Sequence, residues 1–136
     1  MSGGGVGSSS NRNLDLSAYN PTLKRISLIL KNLLNNEEYA RKVIPFLKRE
    51  YFEESSEQIV YEEISKFINE YNKLASKEIL CIEIENRKDV TDSSFKDIIS
   101  LVQSLEDSSS EFEWLINTTE KWCRDRAIYL ALMESI

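Results

Sequence analysis

The sequence predicts an all-α domain, a compact bundle of about six helices. Its 136 residues are enough for one domain with a buried core. Hydrophobic residues make up 41% and charged residues 29%, a balance typical of globular proteins. Only two prolines occur, and three of the four glycines are consecutive near the N-terminus, so helix breakers are rare. Apolar residues recur at helical spacing through most of the remaining chain.

The first 13 residues differ from the rest in composition. Gly, Ser and Asn dominate residues 1–13, which predicts a flexible tail or a cloning linker. The helical domain is therefore expected over residues 14–136. Its first helix should start at Asn20-Pro21, because Asn caps free amides and Pro suits the first helical position. An apolar stripe follows at helical spacing: Leu23, Ile26, Ile29, Leu30, Leu33 and Leu34.

The second helix should begin at a cap on Asn36, with two glutamates in its first turn. Its expected apolar face is Tyr39, Val43, Phe46 and Leu47, and the basic pair Lys48 and Arg49 should complement its C-terminus. Pro45 lies inside this pattern and predicts a kink or an early stop.

Two further helices carry clear start signals. Ser55 or Ser56 can cap the third, with Gln58 following in the first turn. Thr91 can cap another over residues 91–105. Both have apolar stripes at helical spacing: Val60, Ile64, Phe67, Ile68 and Tyr71 in the first, and Phe95, Ile98, Ile99, Val102 and Leu105 in the second.

Residues 78–85 are ambiguous between strand and helix. Leu80, Ile82 and Ile84 alternate with Cys81 and glutamates, which is a strand period. Ser76, in contrast, resembles a helix cap. A lone strand would leave its backbone hydrogen-bonding groups unpaired, and the chain offers no second convincing strand, so the residues favour a helix.

The last segment, residues 111–136, is the longest helix candidate and contains no Gly or Pro. Steps of four and three residues form a heptad-like seam along it: Leu115, Thr119, Trp122, Arg126, Tyr129, Met133 and Ile136. A second apolar stripe lies beside the seam, so this helix needs partners on two sides. Either the domain buries it alone, or part of it, especially residues 127–136, packs on another chain.

The residues that several kinds of functional site require are absent from the sequence. We therefore predict no catalytic, metal or nucleotide-binding site. Histidine, the commonest general base and metal ligand, is absent. Cys81 and Cys123 are far apart, which suits a single disulfide or two free thiols better than zinc. The paired glutamates occupy polar helix positions and are expected on solvated faces. No Walker A sequence occurs.

The charge distribution argues against direct, strong binding of nucleic acid. The net charge is −6, yet residues 21–50 carry seven Lys or Arg against three Glu. Within this stretch, Arg41, Lys42, Lys48 and Arg49 form two i,i+7 pairs on one predicted helix, a candidate docking surface. No apolar run approaches the roughly 18 residues of a membrane-spanning helix, so no membrane association is expected.

Six groups of residues follow one another as in a known family. They are Lys48-Arg49-Glu50-Tyr51-Phe52, Phe67-Ile68-Asn69-Glu70-Tyr71, Asp97-Ile98-Ile99-Ser100-Leu101-Val102, Glu113-Trp114-Leu115-Ile116, Thr119-Glu120-Lys121-Trp122 and Asp125-Arg126-Ala127. In this order and spacing, the chain resembles the N-terminal domain of the phage branch of DnaB-type replicative helicases, as in the T-even-like phages. The resemblance covers residues 22–136, and no single motif in it is strongly specific.

The resemblance implies a compact helical head without enzymatic activity, whose last helix leads into a helical hairpin, and a helix over residues 76–87. Six heads form a collar above the ring of motor domains. Self-association is therefore expected, as a dimer or as a hexamer of the full-length protein, and so is docking of primase and other replisome proteins. ATP and Mg would belong to a motor domain outside residues 1–136. The location would be the cytoplasm of an infected host cell.

Specific residues can be assigned to these roles. We expect the intersubunit surface at Trp122, Arg126, Tyr129, Met133 and Ile136. Partner docking is expected at the basic set around Arg41 and Lys48. Two rival functions are the helicase-binding C-terminal domain of a primase and a stand-alone helical adaptor or helicase loader. A loader that binds single-stranded DNA would need a basic surface, which the net charge disfavours.

Overall fold

Six α-helices and two 3₁₀ turns account for most of the described part of the chain. The computed structural model describes residues 21–106 and 111–135, with side chains from residue 24 onward. The helices are α1 (Pro21–Asn35), α2 (Glu37–Val43), α3 (Ser55–Tyr71), α4 (Lys77–Glu85), α5 (Asp92–Gln103) and α6 (Phe112–Glu134). No strand occurs among these residues, so the predicted all-α class is confirmed. The predictions for the tail at residues 1–13, Asn20, the Leu23 side chain and Ile136 lie outside the described residues.

Helix α2 begins where it was predicted to begin and ends early at Pro45. The Asn36 side chain accepts a hydrogen bond from the Tyr39 amide at 3.0 Å. Because Pro45 has no amide hydrogen, the α-helix gives way after Val43 to a 3₁₀ turn at Ile44–Phe46. Lys48 and Arg49 therefore lie beyond α2, and the prediction that they complement its C-terminus is wrong.

The start of α3 differs from the prediction by one residue. Ser55 is the first helical residue, and the preceding Glu54 forms a capping box with Glu57, whose carboxylate accepts the Glu54 amide at 3.2 Å. The Gln58 side chain instead donates to the Phe52 carbonyl at 2.8 Å. Helix α5 begins as predicted, with the Thr91 hydroxyl accepting the Ser94 amide at 3.2 Å.

The ambiguous segment is helical. Ser76 caps α4 by accepting the Ile79 amide at 3.1 Å. The helical period places Leu80 and Ile84 in the core and leaves Ile82 57% exposed. Burial thus follows the i,i+4 spacing of a helix and not the alternation of apolar and polar residues. The predicted helix over 76–87 is confirmed in its main part.

Helix α3 is the centre of the bundle. It packs against α1, α4 and α5 and contacts the second 3₁₀ turn, Arg49–Tyr51. Helix α6 packs on α2 and on the same 3₁₀ turn. The Arg49–Tyr51 turn thus lies between the central helix and the last helix, so it can set the position of α6 relative to the body of the domain.

An ion-pair cluster fastens α3 to the segment after α4. The Arg87 guanidinium contacts Glu63 at 2.7 Å, Glu62 at 3.0 Å and Asp89 at 2.8 Å. Glu63 is only 3% exposed, so its expected place on a solvated face is wrong. A buried carboxylate needs a charged or hydrogen-bonded partner, and Arg87 supplies both.

Candidate interaction surface

The first half of α6 belongs to the core of the domain. Leu115, Thr119, Trp122 and Cys123 are buried, one helical turn apart or adjacent. The Thr119 hydroxyl is hydrogen-bonded to the Tyr39 hydroxyl at 2.7 Å, which joins α6 to α2. Burial raises the pKa of Tyr39, so this hydroxyl remains protonated. The seam predicted along α6 is therefore, in this half, an internal packing surface.

Aromatic packing holds the centre of α6. The Trp122 ring meets Tyr51 edge-on at 6.0 Å between centroids and lies 5.1 Å from Phe52. Phe52 stacks on Tyr61 at 5.2 Å, and the Tyr61 hydroxyl donates to the Leu47 carbonyl at 2.9 Å. Trp122 is 5% exposed. Its assignment to an intersubunit surface is therefore corrected, because this side chain is occupied by the core.

Arg126 marks the point where α6 leaves the body of the domain. Its Nε donates to the Tyr51 carbonyl at 2.7 Å, and its Nη1 lies 3.6 Å from a Glu53 carboxylate oxygen. Its guanidinium also lies 5.1 Å from the centroid of the Tyr129 ring, a cation–π distance. The side chain is 15% exposed. Arg126 thus connects the helix to the preceding turn within one chain.

Beyond Arg126, α6 presents an exposed apolar face. We call residues 128–134 the arm. Ile128, Tyr129, Leu132 and Met133 are all about half exposed or more, from 48% to 61%. The i,i+4 pairs 128/132 and 129/133 place them on adjoining rows of one helix face. Such a contiguous apolar face is typical of a protein–protein contact.

The predicted seam and the exposed face overlap only in part. Tyr129 and Met133 lie on both, and Ile136 lies outside the described residues. The predicted seam did not include Ile128 and Leu132, which are also on the exposed face. Their i,i+4 spacing is visible in the sequence, but nothing in the sequence indicates that the body of the domain ends near Arg126.

The four basic residues predicted to share one helix do not do so. Arg41 and Lys42 lie in α2, whereas Lys48 and Arg49 lie beyond it. Arg41 is paired with Glu37 at 2.6 Å and donates to the Asn72 side chain at 2.7 Å. Arg49 is paired with Glu62 at 2.8 Å. The two lysines are exposed, so the structure divides the predicted docking set into two paired arginines and two available lysines.

Two shallow clefts flank Tyr51 where α6 meets the preceding turns. The first, about 240 Å³, includes Arg25, Glu53, Arg126 and Tyr129 in its lining. The second, about 320 Å³, is lined by Phe46, Tyr51, Glu120, Cys123, Arg124 and Ala127. Both are at or below the lower end of the range for small-molecule sites and suit side chains of a partner better than a cofactor.

The titratable groups with displaced pKa values are spread through the fold. Burial raises the pKa of the Cys123 thiol to about 12 and also raises the pKa of the partly buried Cys81 thiol, and both cysteines are free. Burial also raises the pKa of Glu57, which lies in the capping box of α3. Within residues 21–106 and 111–135, no group of three or more Cys, Asp or Glu is arranged to hold a metal ion. No helix in these ranges is long and apolar enough to cross a bilayer.

Comparison with known proteins gives one informative match. The chain is 30% identical over 111 residues to a DnaB-like replicative helicase of Enterobacteria phage T4. The match covers 82% of this chain but only 23% of the length of that helicase. No protein-family model matches the sequence. The similarity supports a relationship to DnaB-like helicases over most of the present chain.

Proposed function

We propose that this chain is the non-catalytic head of a DnaB-like replicative helicase and that the arm of α6 joins subunits. Similarity to the phage T4 helicase supports a role in DNA replication and a relationship to DnaB-like helicases. ATP hydrolysis, with its Mg, would reside in a motor domain beyond these residues. The protein would act in the cytoplasm of an infected host cell.

The exposed apolar face of the arm carries this proposal. Four large side chains lie half exposed on two turns of one helix, whereas the preceding turns of the same helix are buried. Burying one such side chain contributes about 1.5–3 kcal/mol, so a second copy that covers the face gains substantial free energy. The occupant we propose is the same face of a second subunit, as a dimer or as a hexamer of the full-length protein.

Docking of primase and other replisome proteins is the second part of the proposal. It is supported by the resemblance to the helicase head and by the available cations near the end of α2. This part requires a surface separate from the arm, because the arm would be covered by subunits.

The test is a charged substitution on the arm. Tyr129→Asp with Met133→Asp should shift any oligomer toward monomer, because an ionised carboxylate is costly to bury in an apolar contact. Both positions are exposed, so circular dichroism and the unfolding transition of the head should be retained. Sedimentation velocity gives the mass.

A matched control is available on the same domain. Asn69→Asp with Asn117→Asp makes the same change in net charge at two exposed polar positions. It should leave the oligomeric mass unchanged. An arm variant that keeps the wild-type mass would rule out the arm as the intersubunit surface.

A further inference from the structure

The cleft between Phe46 and α6 lies on a part of the molecule that the core packing leaves open. Cys123 and Ala127 are one helical turn apart, and their small side chains leave a depression on α6. Phe46, Tyr51 and Arg124 also contribute to the lining. The volume of about 320 Å³ suits one or two apolar side chains.

Phe46 is exposed because of the local backbone and not because of its polarity. Phe46 continues the apolar pattern of α2 in the sequence. Pro45, the residue before it, ends the α-helix, and Phe46 lies in the 3₁₀ turn Ile44–Phe46 instead. The change of helical period moves the ring away from the core, and 36% of Phe46 remains exposed. An aromatic ring at the edge of an open cleft can pack on an incoming apolar side chain at little conformational cost.

The segment that contributes Phe46 to the cleft differs in charge from the rest of the protein. Residues 41–49 contain four cations and no acid, although the whole chain has a net charge of −6. Arg41 and Arg49 are neutralised by Glu37 and Glu62. Among the described residues, no carboxylate forms an ion pair with Lys42, Lys48 or Arg124.

Two of the cations that remain available are close to Phe46 in the sequence, and the third lines the cleft. Lys42 precedes Phe46 by one helical turn and Lys48 follows it by two residues, while Arg124 lines the cleft itself. Glu120 is the carboxylate in the lining. A cleft of mixed polar and apolar lining, with Arg124 in it and two lysines close to Phe46 in the sequence, favours a partner that combines an apolar side chain with negative charge.

We infer that this cleft binds an acidic peptide segment of a partner protein, with one apolar side chain inserted between Phe46 and Ala127. The flanking carboxylates of the peptide would pair with Lys42, Lys48 and Arg124. This inference rests on the proposed docking role, for which it names a surface and a partner chemistry. It does not depend on the arm, because the cleft includes no residue of the arm.

The test uses three short fluorescein-labelled peptides and fluorescence anisotropy. The first has Asp and Glu on both sides of a central Leu-Phe pair. The second keeps the acids but has Ser in place of Leu and Phe, and the third keeps Leu-Phe but has Lys in place of the acids. The first peptide should saturate the protein, and the other two should bind about tenfold more weakly or worse.

Variants locate the binding. Ala127→Trp fills the depression from an exposed helix position, and Lys42→Glu with Lys48→Glu reverses the flanking charge. Each should weaken the first peptide by about tenfold or more. Phe46→Ser is the second variant at the apolar site. Lys88→Glu with Lys96→Glu, which makes the same charge change at exposed positions near and on α5, should leave the affinity unchanged.

Three outcomes would overturn the inference. One is the absence of saturation by the first peptide at millimolar concentration. Another is binding of labelled oligothymidine that depends on Lys42 and Lys48 but not on Phe46 or Ala127, which would identify nucleic acid as the ligand. The third is loss of self-association in Ala127→Trp, which would identify a second copy. The arm variant should bind the first peptide normally, so failure of the arm proposal and failure of this one are distinguishable.

Discussion

The Nε of Arg126 donates a hydrogen bond of 2.7 Å to the carbonyl oxygen of Tyr51, across 75 residues of sequence. This contact joins the turn after α2 to the point of α6 where burial ends and exposure begins. The same guanidinium lies against Tyr129, the first aromatic residue of the arm. Arg126 therefore connects the body of the domain to the proposed interaction surface.

Replacing Arg126 by Met should destabilise the domain. The Tyr51 carbonyl would lose a charged donor at a largely buried position, which costs about 1.5–3 kcal/mol. Urea denaturation followed by circular dichroism measures the loss. Arg124→Met, at an exposed position on the same helix, should change the free energy of unfolding by no more than about 0.5 kcal/mol. Equal losses for the two variants would show that the hydrogen bond has no special role.

The buried pair of Tyr39 and Thr119 should show energetic coupling. Thr119→Val keeps the shape but leaves the Tyr39 hydroxyl without its partner, which costs about 1–3 kcal/mol. Tyr39→Phe should cost less, because a helical threonine hydroxyl can turn to a backbone carbonyl in the preceding turn. The double variant should lose less than the sum of the single variants. Additive losses in this double-mutant cycle would mean that the hydroxyls do not stabilise one another.

Glu57 should make the stability depend on pH. Burial raises its pKa in the folded protein above the ordinary value of 4.5, so the fold binds this proton more tightly than the unfolded chain does. The ionised form therefore reduces stability at neutral pH, and that cost disappears as pH falls through the folded-state pKa toward 4.5.

The variant that isolates this effect is Glu57→Gln, which keeps a side-chain oxygen for the Glu54 amide. It should be more stable than wild type at pH 7, and the difference should vanish at a pH where the carboxyl is protonated in both states. Urea denaturation of both proteins in matched buffers measures it. A difference that stays the same across this pH range would contradict the assignment to ionisation.

The coding frame gives a direct check of the proposed parent protein. The chain spans 23% of the length of the phage T4 relative. If the present chain is a helicase head, the source DNA should continue from the Ile136 codon through a second helical arm into a Gly-x-x-x-x-Gly-Lys-Ser/Thr loop. A stop codon directly after Ile136 would exclude the motor for this gene. A free-standing adaptor or a decoy of a helicase collar would then become the hypothesis to test.

Local signals predicted most helix starts correctly. Asn36, Ser76 and Thr91 all cap as expected, because a cap depends on one side chain and amides within three residues of it. Pro45 ended its helix for an equally local reason. The predicted start of α3 was wrong because Glu54 and Glu57 form a capping box with each other, which leaves the two serines inside the first turn.

Side-chain burial was less predictable than helix position. Ile82 alternates with its neighbours like a core residue and is exposed, whereas Glu63 follows a polar pattern and is buried beside Arg87. Trp122 and Tyr129 belong to the same heptad-like seam, yet one is in the core and the other on the surface. Spacing specifies which side chains share a helix face, but not which other helix covers that face.

The sequence by itself determined the helices and their order, since caps, breakers and apolar periodicity act over a few residues. It also indicated that the last helix needs packing partners on two sides, within the domain or from another chain. Only the tertiary structure decided where the apolar surface of that helix becomes exposed. The last buried residue of α6 is Cys123, and the contacts with α2 and with the turn at Arg49–Tyr51 that accompany this burial join residues far apart in the chain. For the same reason, only the fold brought Phe46 beside Cys123 and Ala127 to form a cleft.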